Sequence, residues 1–345
     1  MMKKATTAAG LALLTIIAGT ALARDPAQSH GRPRVPVTGP VRGTAVSIEG
    51  DRWLINREIT YPGSKAEGLL MNVRMVNAIF EDSARPEFDA KANTREFVEK
   101  IPEYVSAGVR AFTLNLQGGF PGYEGAVNSA FNPDGSLRDS YLARLKLVLD
   151  ECRRTGAIVI LGCFYQRQDQ ILKHEEAVKT ALLNVAAWVK RSGFTNVLIE
   201  VANEFNHPGF DHAVLKTPAG QVQLIRLVQE RFPCLLVSTS GLGDGMLPDE
   251  VCEAADFLLP HFNSTPVSDI PARLQALKKF GKPIVCNEDD KTGTEAAAAA
   301  EACVTAGASW GFMHDVVNQH YPFTFGGPAD DQVVYGKLRE LTGGK

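Results

Sequence analysis

Short apolar runs alternate with longer amphipathic stretches along most of the chain. Eight of these runs have the length and composition of buried β-strands, and they span residues 69–76, 109–116, 157–164, 196–203, 235–241, 256–262, 283–288 and 309–315. The stretches between them place apolar residues at helical spacing, and several end in glycine, which is favoured just after a helix C-terminus. This alternation predicts parallel βα units.

Eight such units predict an α/β fold, a (β/α)8 TIM barrel, over residues 44–345. Two short alternating runs around Glu49-Gly50-Asp51 predict a β-hairpin at its N-terminal end. An open doubly wound sheet is the alternative, but no G-x-G-x-x-G follows the first strand. The connection between the fifth and sixth strands is the thinnest, with only DGMLPDEVCEA to form a helix.

The N-terminus has the pattern of a secretory signal. Lys3 and Lys4 precede an apolar stretch that ends in Ala21-Leu22-Ala23, which predicts a signal peptide over residues 1–23. The alternative, a membrane anchor, needs roughly 20 apolar residues, more than this stretch contains. Residues 24–43 are rich in Pro, Gly, Arg and Ser and predict a flexible leader. We therefore expect an exported protein, periplasmic or secreted, with no stable membrane association once the signal is removed.

Composition excludes some other classes. A formal net charge of −3 with 22% charged residues gives no basic surface for nucleic acid. The six cysteines lack a CxxC metal pattern or tight framework spacing. Cys163, Cys234 and Cys286 lie in or beside apolar runs, so we expect mostly buried free thiols with at most one bridge.

Polar side chains collect where the predicted strands end, which is where the chemistry of such barrels is found. Two of these ends carry an Asn-Glu pair directly after an apolar run, at Asn203-Glu204 and Asn287-Glu288. The two glutamates are 84 residues apart, or three βα units of about 28 residues, so they should face each other across the barrel mouth. Two opposed carboxylates are what glycosidic cleavage requires, one as proton donor and one as nucleophile or base.

The motifs IEVANEFNH and KPIVCNEDD resemble those of clan A glycoside hydrolases, most closely the family 5 cellulase and mannanase group. The resemblance covers residues 66–342. It implies that Glu204 is the general acid/base, that Asn203 binds the sugar 2-hydroxyl, and that Glu288 is the nucleophile. His261, in LLPHFN, matches a histidine that shapes the site in this clan.

Several positions depart from the family pattern and favour a distant or separate family within the clan. Asn263 stands where a tyrosine usually contacts the nucleophile. The family usually has an aromatic residue near the end of the eighth strand that stacks on a sugar, but here His314 stands near that position. Trp310 comes too early in the strand to stack on a sugar. The family's arginine on the second strand is replaced by Thr113, for which Arg74 on the first strand could substitute.

The predicted function is a retaining glycoside hydrolase that cleaves β-linked oligo- or polysaccharides by double displacement and needs no cofactor or metal. Glu204 must then be protonated while Glu288 is ionised. Glu200 is expected to be a structural carboxylate paired with Arg74 or Arg110, while Asp289 and Asp290 are expected to be loop acids. The predicted substrate-binding residues are Asn203, His261, Asn115, Tyr165, His207, Asn263, His314 and Arg74.

Two other classes remain open at this stage. A metal-dependent TIM-barrel hydrolase would use His207, Asp211, His212 and His261, although their spacing matches no strong metal template. A non-catalytic glycan-binding barrel would account for the missing tyrosine and aromatic positions.

Overall fold

A computed structural model describes residues 43–118 and 127–344 of the chain. The predicted signal peptide, and the predicted leader apart from Gly43, lie outside these residues. Within the described ranges, no helix is both long enough and apolar enough to cross a membrane.

The described chain begins with a small antiparallel sheet. Its strands are β1 (Val46–Glu49), β2 (Arg52–Ile55) and β3 (Glu58–Ile59), paired in the order β1-β2-β3. The predicted hairpin is therefore confirmed, with a short third strand added. Gly50 takes a positive φ of 61° in the turn between β1 and β2, a conformation that glycine adopts without steric cost.

The barrel is built from parallel strands. Six of them form one continuous sheet, in the order β8-β7-β6-β5-β4-β9. They are β4 (Asn72–Arg74), β5 (Ala111–Asn115), β6 (Ile158–Phe164), β7 (Val197–Ala202), β8 (Leu236–Ser238) and β9 (Gly311–Phe312). Single parallel bridges carry the pairing from the end of β8 to the start of β9 through two further segments; they are Ser240–Leu259, Leu258–Ile284, His261–Glu288 and Val285–Ser309. The ring closes, so the predicted eight-stranded barrel is confirmed.

The helices occupy the predicted positions between the strands. They are α1 (Ala90–Ser106), α2 (Asp139–Thr155), α3 (Glu175–Arg191), α4 (Ala213–Lys216), α5 (Pro218–Arg231), α6 (Asp249–Ala254), α7 (Ile270–Leu277), α8 (Gly293–Thr305) and α9 (Gln332–Thr342). α2 ends at Gly156 in a left-handed C-cap, as its sequence predicts. α6, in the thin connection after the fifth strand, has only six residues.

The core has two parts. A large apolar layer lies between the barrel and its helices, and a smaller cluster fills the barrel near the first residues of the strands. The smaller cluster is closed by Trp53 of β2, which is fully buried and packs edge-on against Phe257 at 5.5 Å. The N-terminal sheet therefore plugs the end of the barrel opposite to the ends where the polar residues collect.

All six cysteines are free thiols. Five are buried, as expected for small apolar core residues, but Cys234 is exposed, so its predicted burial is wrong. It precedes β8 in a turn after α5, and the apolar run that follows it does not bury it.

Candidate active site

Glu204 and Glu288 come together at the carboxyl end of the barrel. Glu204 follows β7 in a left-handed conformation with φ of 48°, an uncommon geometry that turns its side chain out of the strand pattern. Glu288 lies at the His261–Glu288 bridge. One carboxylate oxygen of each glutamate and a ring nitrogen of His261 all lie within 4.8 Å of one another.

Glu288 is surrounded by donors. The Nε of Arg74, at the end of β4, lies 2.8 Å from Oε2, and the Nδ2 of Asn263 donates to Oε1 at 2.5 Å. Burial alone would raise the pKa of Glu288, but Arg74, His261 and Asn263 together outweigh it and lower the pKa below its usual value. The site therefore favours an ionised carboxylate at this position.

Glu204 is held differently. Gln166, two residues beyond β6, donates from Nε2 to Oε2 at 3.4 Å, and the backbone amide of Glu204 donates to the Oγ of Ser240 at 2.9 Å. Its side chain keeps 14% of its surface exposed, against 7% for Glu288. Glu204 thus faces the open mouth while Glu288 is held by charge and hydrogen bonds.

Asn203 connects the two carboxylate environments. Its Oδ1 accepts from Arg74 at 2.7 Å, and its Nδ2 donates to the Oε1 of Gln166 at 3.2 Å. Arg74 therefore contacts both Glu288 and Asn203.

His261 lies between the glutamates. Its Nδ1 is 3.5 Å from Oε1 of Glu204 and 3.5 Å from Oε2 of Glu288, while Nε2 lies 3.1 Å from Oδ1 of Asn287. Burial alone lowers the pKa of His261, but the two glutamates outweigh it and the net pKa is raised. The ring is fully buried, so its contacts are with these groups rather than with solvent.

Glu200 lies beneath the site, fully buried, and accepts from the Nδ2 of Asn287 at 3.3 Å. Burial raises the pKa of Glu200, and Arg74 and His261 oppose that shift. Neither expected arginine forms an ion pair with Glu200 among the described residues: Arg74 pairs with Glu288, and Arg110 donates to the carbonyl oxygens of Val105 and Val109.

Tyr165 and Asn115 lie close to this group. Tyr165 is 6% exposed; burial and the neighbouring Glu288 both raise the pKa of its hydroxyl, and Arg74 opposes them. Asn115 is fully buried, and neither of its amide atoms has a hydrogen-bond partner within the described ranges. A Cβ at Gly162 would lie 2.4 Å from the Oδ1 of Asn115, so this glycine makes room for the amide.

The rings of His207 and His314 accept hydrogen bonds from backbone amides of their own loops. His207 accepts from the amide of Gly209 at 2.9 Å, and His314 accepts from the amide of Val317 at 3.4 Å. Both residues lie in connections at the carboxyl end of the barrel, but in the part of the chain that is described neither ring hydrogen-bonds to the two glutamates.

The set that a metal-dependent hydrolase would need does not assemble. His212 pairs through Nδ1 with Asp169 at 2.8 Å, and the backbone amide of Asp211 donates to the same carboxylate. Among the described residues, the group with metal-ligating potential is Glu204, His261 and Glu288. Arg74 and Asn263 already hold the two oxygens of Glu288, so a cation there would have to compete with a guanidinium.

Two residues near Glu288 are structural. Asp289 is fully buried, pairs with Lys291 at 2.9 Å and accepts from the Nε1 of Trp310 at 2.9 Å. Asp289 lies outside the helices and strands, as expected of a loop acid, but the chain turns it inward to meet these donors. Trp310 is fully buried, in agreement with its early position in the strand.

Three residues of the site were given no role by sequence reasoning: Gln166, Ser240 and Asn287. Gln166 and Asn287 follow strands, so the polar strand-end pattern contains them, but that pattern does not say which amide meets which carboxylate. Ser240 lies in the segment predicted as the fifth strand, where a serine is unremarkable in sequence.

No protein-family model matches the chain, and no curated protein matches it in sequence. Solved structures do match. A candidate glycoside hydrolase from Bacteroides vulgatus is 13% identical over 85% of this chain, which spans 60% of that structure, with a TM-score of 0.61. A family 5 glycoside hydrolase from Prevotella bryantii is 10% identical over 81% of this chain and 98% of its own, with a TM-score of 0.57.

A family 5 mannosidase from Rhizomucor miehei is 10% identical over 87% of this chain and 97% of its own, also with a TM-score of 0.57. At such low identities these matches show the fold. The chain therefore has the barrel fold of the family 5 glycoside hydrolases, in a strongly divergent sequence.

Proposed function

We propose that the protein is a retaining glycoside hydrolase. The observation that carries this proposal is the approach of Glu204 and Glu288: one carboxylate oxygen of each lies within 4.8 Å of the other at the carboxyl end of the barrel. Retaining enzymes hold their carboxyl groups about 5–5.5 Å apart, whereas inverting enzymes need about 6.5–9.5 Å to admit a water. Oxygens that approach this closely support the retaining arrangement, in which the second carboxylate attacks the sugar directly.

The surroundings of the two glutamates support different roles. Glu288, kept ionised by Arg74 and Asn263, attacks the anomeric carbon and forms a glycosyl-enzyme. Glu204, nearer the open mouth, gives its proton to the glycosidic oxygen as that bond breaks. In the second step Glu204 takes a proton from water, and the water oxygen displaces Glu288 from the sugar.

The proposed substrate is a β-linked oligo- or polysaccharide. Asn203 has one Nδ2 hydrogen engaged by Gln166, which leaves the second to donate to a sugar 2-hydroxyl. Among the matched structures are a broad-specificity endoglucanase and mannosidases, which makes gluco- and manno-configured substrates the first to test. Asn115, Tyr165, His207 and His314 are proposed to line the sugar site.

Covalent labelling tests this proposal. The full chain is incubated with activated 2-deoxy-2-fluoro β-glucosides and β-mannosides, and the adduct is located by peptide mapping. We expect one sugar on Glu288 and none in the Glu288→Gln variant. An adduct on another residue, or a product of inverted configuration by NMR, would rule out the assignment. Glycan binding without turnover of any substrate would favour a binding barrel instead.

A second experiment isolates Glu204. Glu204→Ala should lower kcat on a poorly activated glycoside by about 10²–10⁴-fold, the usual contribution of a general acid. Added azide should restore turnover with a highly activated leaving group and yield a glycosyl azide of retained configuration. Failure of azide to react in this variant would count against Glu204 as the acid/base.

We propose further that residues 1–23 are a cleaved export signal. The check is the N-terminal sequence of the protein recovered from the periplasm or the medium, which should begin at Arg24. Recovery of the uncleaved chain in the cytosol would contradict this.

A further inference from the structure

The site contains a third carboxyl group that double displacement does not use. Glu200 lies on β7, four residues before Glu204, and is fully buried. A buried carboxyl in a barrel interior is costly unless it is paired or neutral, so its contacts require a reason. Its side chain contacts Ser240 and Asn287, and the second of these contacts leads to His261.

Asn287 connects Glu200 to His261. The Nδ2 of Asn287 donates to Oε2 of Glu200 at 3.3 Å, which turns its Oδ1 towards His261. That oxygen can only accept, and Nε2 of His261 lies 3.1 Å from it. The Nε2 atom must therefore carry a proton, and the orientation of one amide sets the tautomer of the ring.

The consequence appears on the other side of the ring. With a proton held on Nε2, Nδ1 is the position at which the ring gains or loses its second proton. Nδ1 lies 3.5 Å from an oxygen of Glu204 and 3.5 Å from an oxygen of Glu288. The titrating atom is thus equidistant from the two groups that exchange charge during the proposed reaction.

We propose that Glu200 is a positioning residue of this site: through Asn287 it holds a proton on Nε2 of His261 and directs Nδ1 between Glu204 and Glu288. This inference rests on the proposed function. In the first step a proton leaves Glu204 for the departing oxygen, while an electron pair of Glu288 forms the bond to carbon. Negative charge therefore passes from Glu288 to Glu204, and Nδ1, when it carries the second proton of the ring, can donate to either oxygen without rotation of the ring.

The charged and titratable groups that face His261 agree with this arrangement. They are Glu288, Glu204, Arg74 and Glu200, and the two catalytic glutamates raise the pKa of the ring against burial. Burial in turn raises the pKa of Glu200, so a neutral side chain suits this position. The hydrogen bond from Asn287 needs only an acceptor oxygen, which a glutamine would also supply.

Nitrogen NMR of the full chain labelled on its histidine rings tests the inference without relying on activity. A His261→Ala spectrum assigns the His261 signals. We expect wild type and Glu200→Gln to show a proton held on Nε2. In Glu200→Leu the Asn287 amide loses its acceptor and can turn over, so the proton should move to Nδ1 or exchange between both nitrogens. A wild-type tautomer and titration in Glu200→Leu would overturn the inference.

Kinetics on the sugar identified by labelling give the second readout. Glu200→Leu and Asn287→Leu should each lower kcat by about fivefold to tenfold with little change in KM, and the double variant should fall no further. Glu200→Gln should stay within about twofold of wild type, the behaviour of a neutral acceptor. A loss in Glu200→Gln as large as in Glu200→Leu would overturn positioning through a neutral hydrogen bond.

Three further results of these experiments can be distinguished from one another. A lower melting temperature of Glu200→Leu with unchanged kcat and tautomer would make Glu200 merely structural and overturn the inference. If Glu200→Leu does not fold, Asn287→Leu removes the acceptor of His261 itself and decides the question by the same readouts. If wild type cleaves no glycoside but shows the expected tautomers, the proposed function fails while the linkage from Glu200 to His261 stands.

Discussion

Asn263 stands at a position where the family that the sequence resembles usually has a tyrosine, and its short side chain contacts Glu288. It lies two residues beyond His261 and donates to Glu288 at 2.5 Å. Arg74 approaches the other oxygen of the same carboxylate from β4. The two departures from the family pattern thus converge on Glu288, and together they keep a buried carboxylate ionised.

Asn263→Ala removes one of these donors. Because the donor stabilises the ionised form, its loss should raise the pKa of Glu288 and move the acidic limb of the kcat/KM profile to higher pH. The measurement is kcat/KM from pH 3 to 8. Asn206→Ala, at an exposed asparagine after Glu204, is the control and should leave the limb in place. An unmoved or lowered limb in Asn263→Ala would contradict this role.

Gln166 offers a second test at the same scale. Its Oε1 fixes the amide of Asn203, so Gln166→Leu should disturb the proposed contact with the sugar 2-hydroxyl and lower kcat/KM by about tenfold. On a 2-deoxy glycoside, which lacks that hydroxyl, the loss should be clearly smaller. Gln170→Leu, an exposed neighbour in the same connection, is the control. Equal losses of kcat/KM on both substrates would show that Gln166 does not act through the 2-hydroxyl.

The connections after β6 and β7 are tied together by one carboxylate. Asp169, fully buried in a short helical turn after β6, accepts from the backbone amides of Asp211 and His212 at 3.0 Å each and from the His212 ring at 2.8 Å. Asp211 and His212, which a metal-dependent hydrolase would use as ligands, are thereby engaged in fixing the connection that begins at Glu204. This pairing spans 43 residues, and the local spacing of the histidines does not reveal it.

Asp169→Ala should therefore destabilise the connection after β7. It leaves three donors without an acceptor, and we expect a loss of about 2–3 kcal/mol in the free energy of unfolding. Asp169→Asn keeps one acceptor oxygen and should cost less, about 1 kcal/mol. Urea unfolding and limited proteolysis between 205 and 212 are the measurements. Equal stability of Asp169→Ala and wild type would show that the carboxylate does not hold this connection.

For the whole molecule, the order of strands and helices was readable because buried parallel strands are apolar runs bounded by polar residues. The same logic placed Glu204 and Glu288 at one end of the barrel, since three βα units separate them. The contacts of Arg74 with Asn203 and of Asn287 with Glu200 join residues 129 and 87 positions apart. Such pairs depend on side-chain orientation, which periodicity does not encode.

The two ends of the barrel have different roles: one contributes mainly to stability, and the other carries the proposed catalytic residues. Trp53 closes the end opposite the glutamates, in a cluster with Phe257, and its Nε1 has no hydrogen-bond partner among the residues described. Trp53→Ala should cost about 3–5 kcal/mol in the free energy of unfolding by opening a cavity in that cluster. The folded fraction should keep the wild-type kcat, because no described hydrogen bond or ion pair joins Trp53 to the site.

Trp53→Phe is the matched variant. It keeps an aromatic ring and removes an N–H that is buried without a partner, so we expect a loss below about 1.5 kcal/mol. The free energy of unfolding of both variants is measured in urea by far-UV circular dichroism, a signal that does not depend on tryptophan. The kcat of each variant is measured on the folded protein under native conditions. A fall in kcat of Trp53→Ala comparable to that of the site variants would show that the plug acts on the chemistry, and the division between the two ends would be wrong.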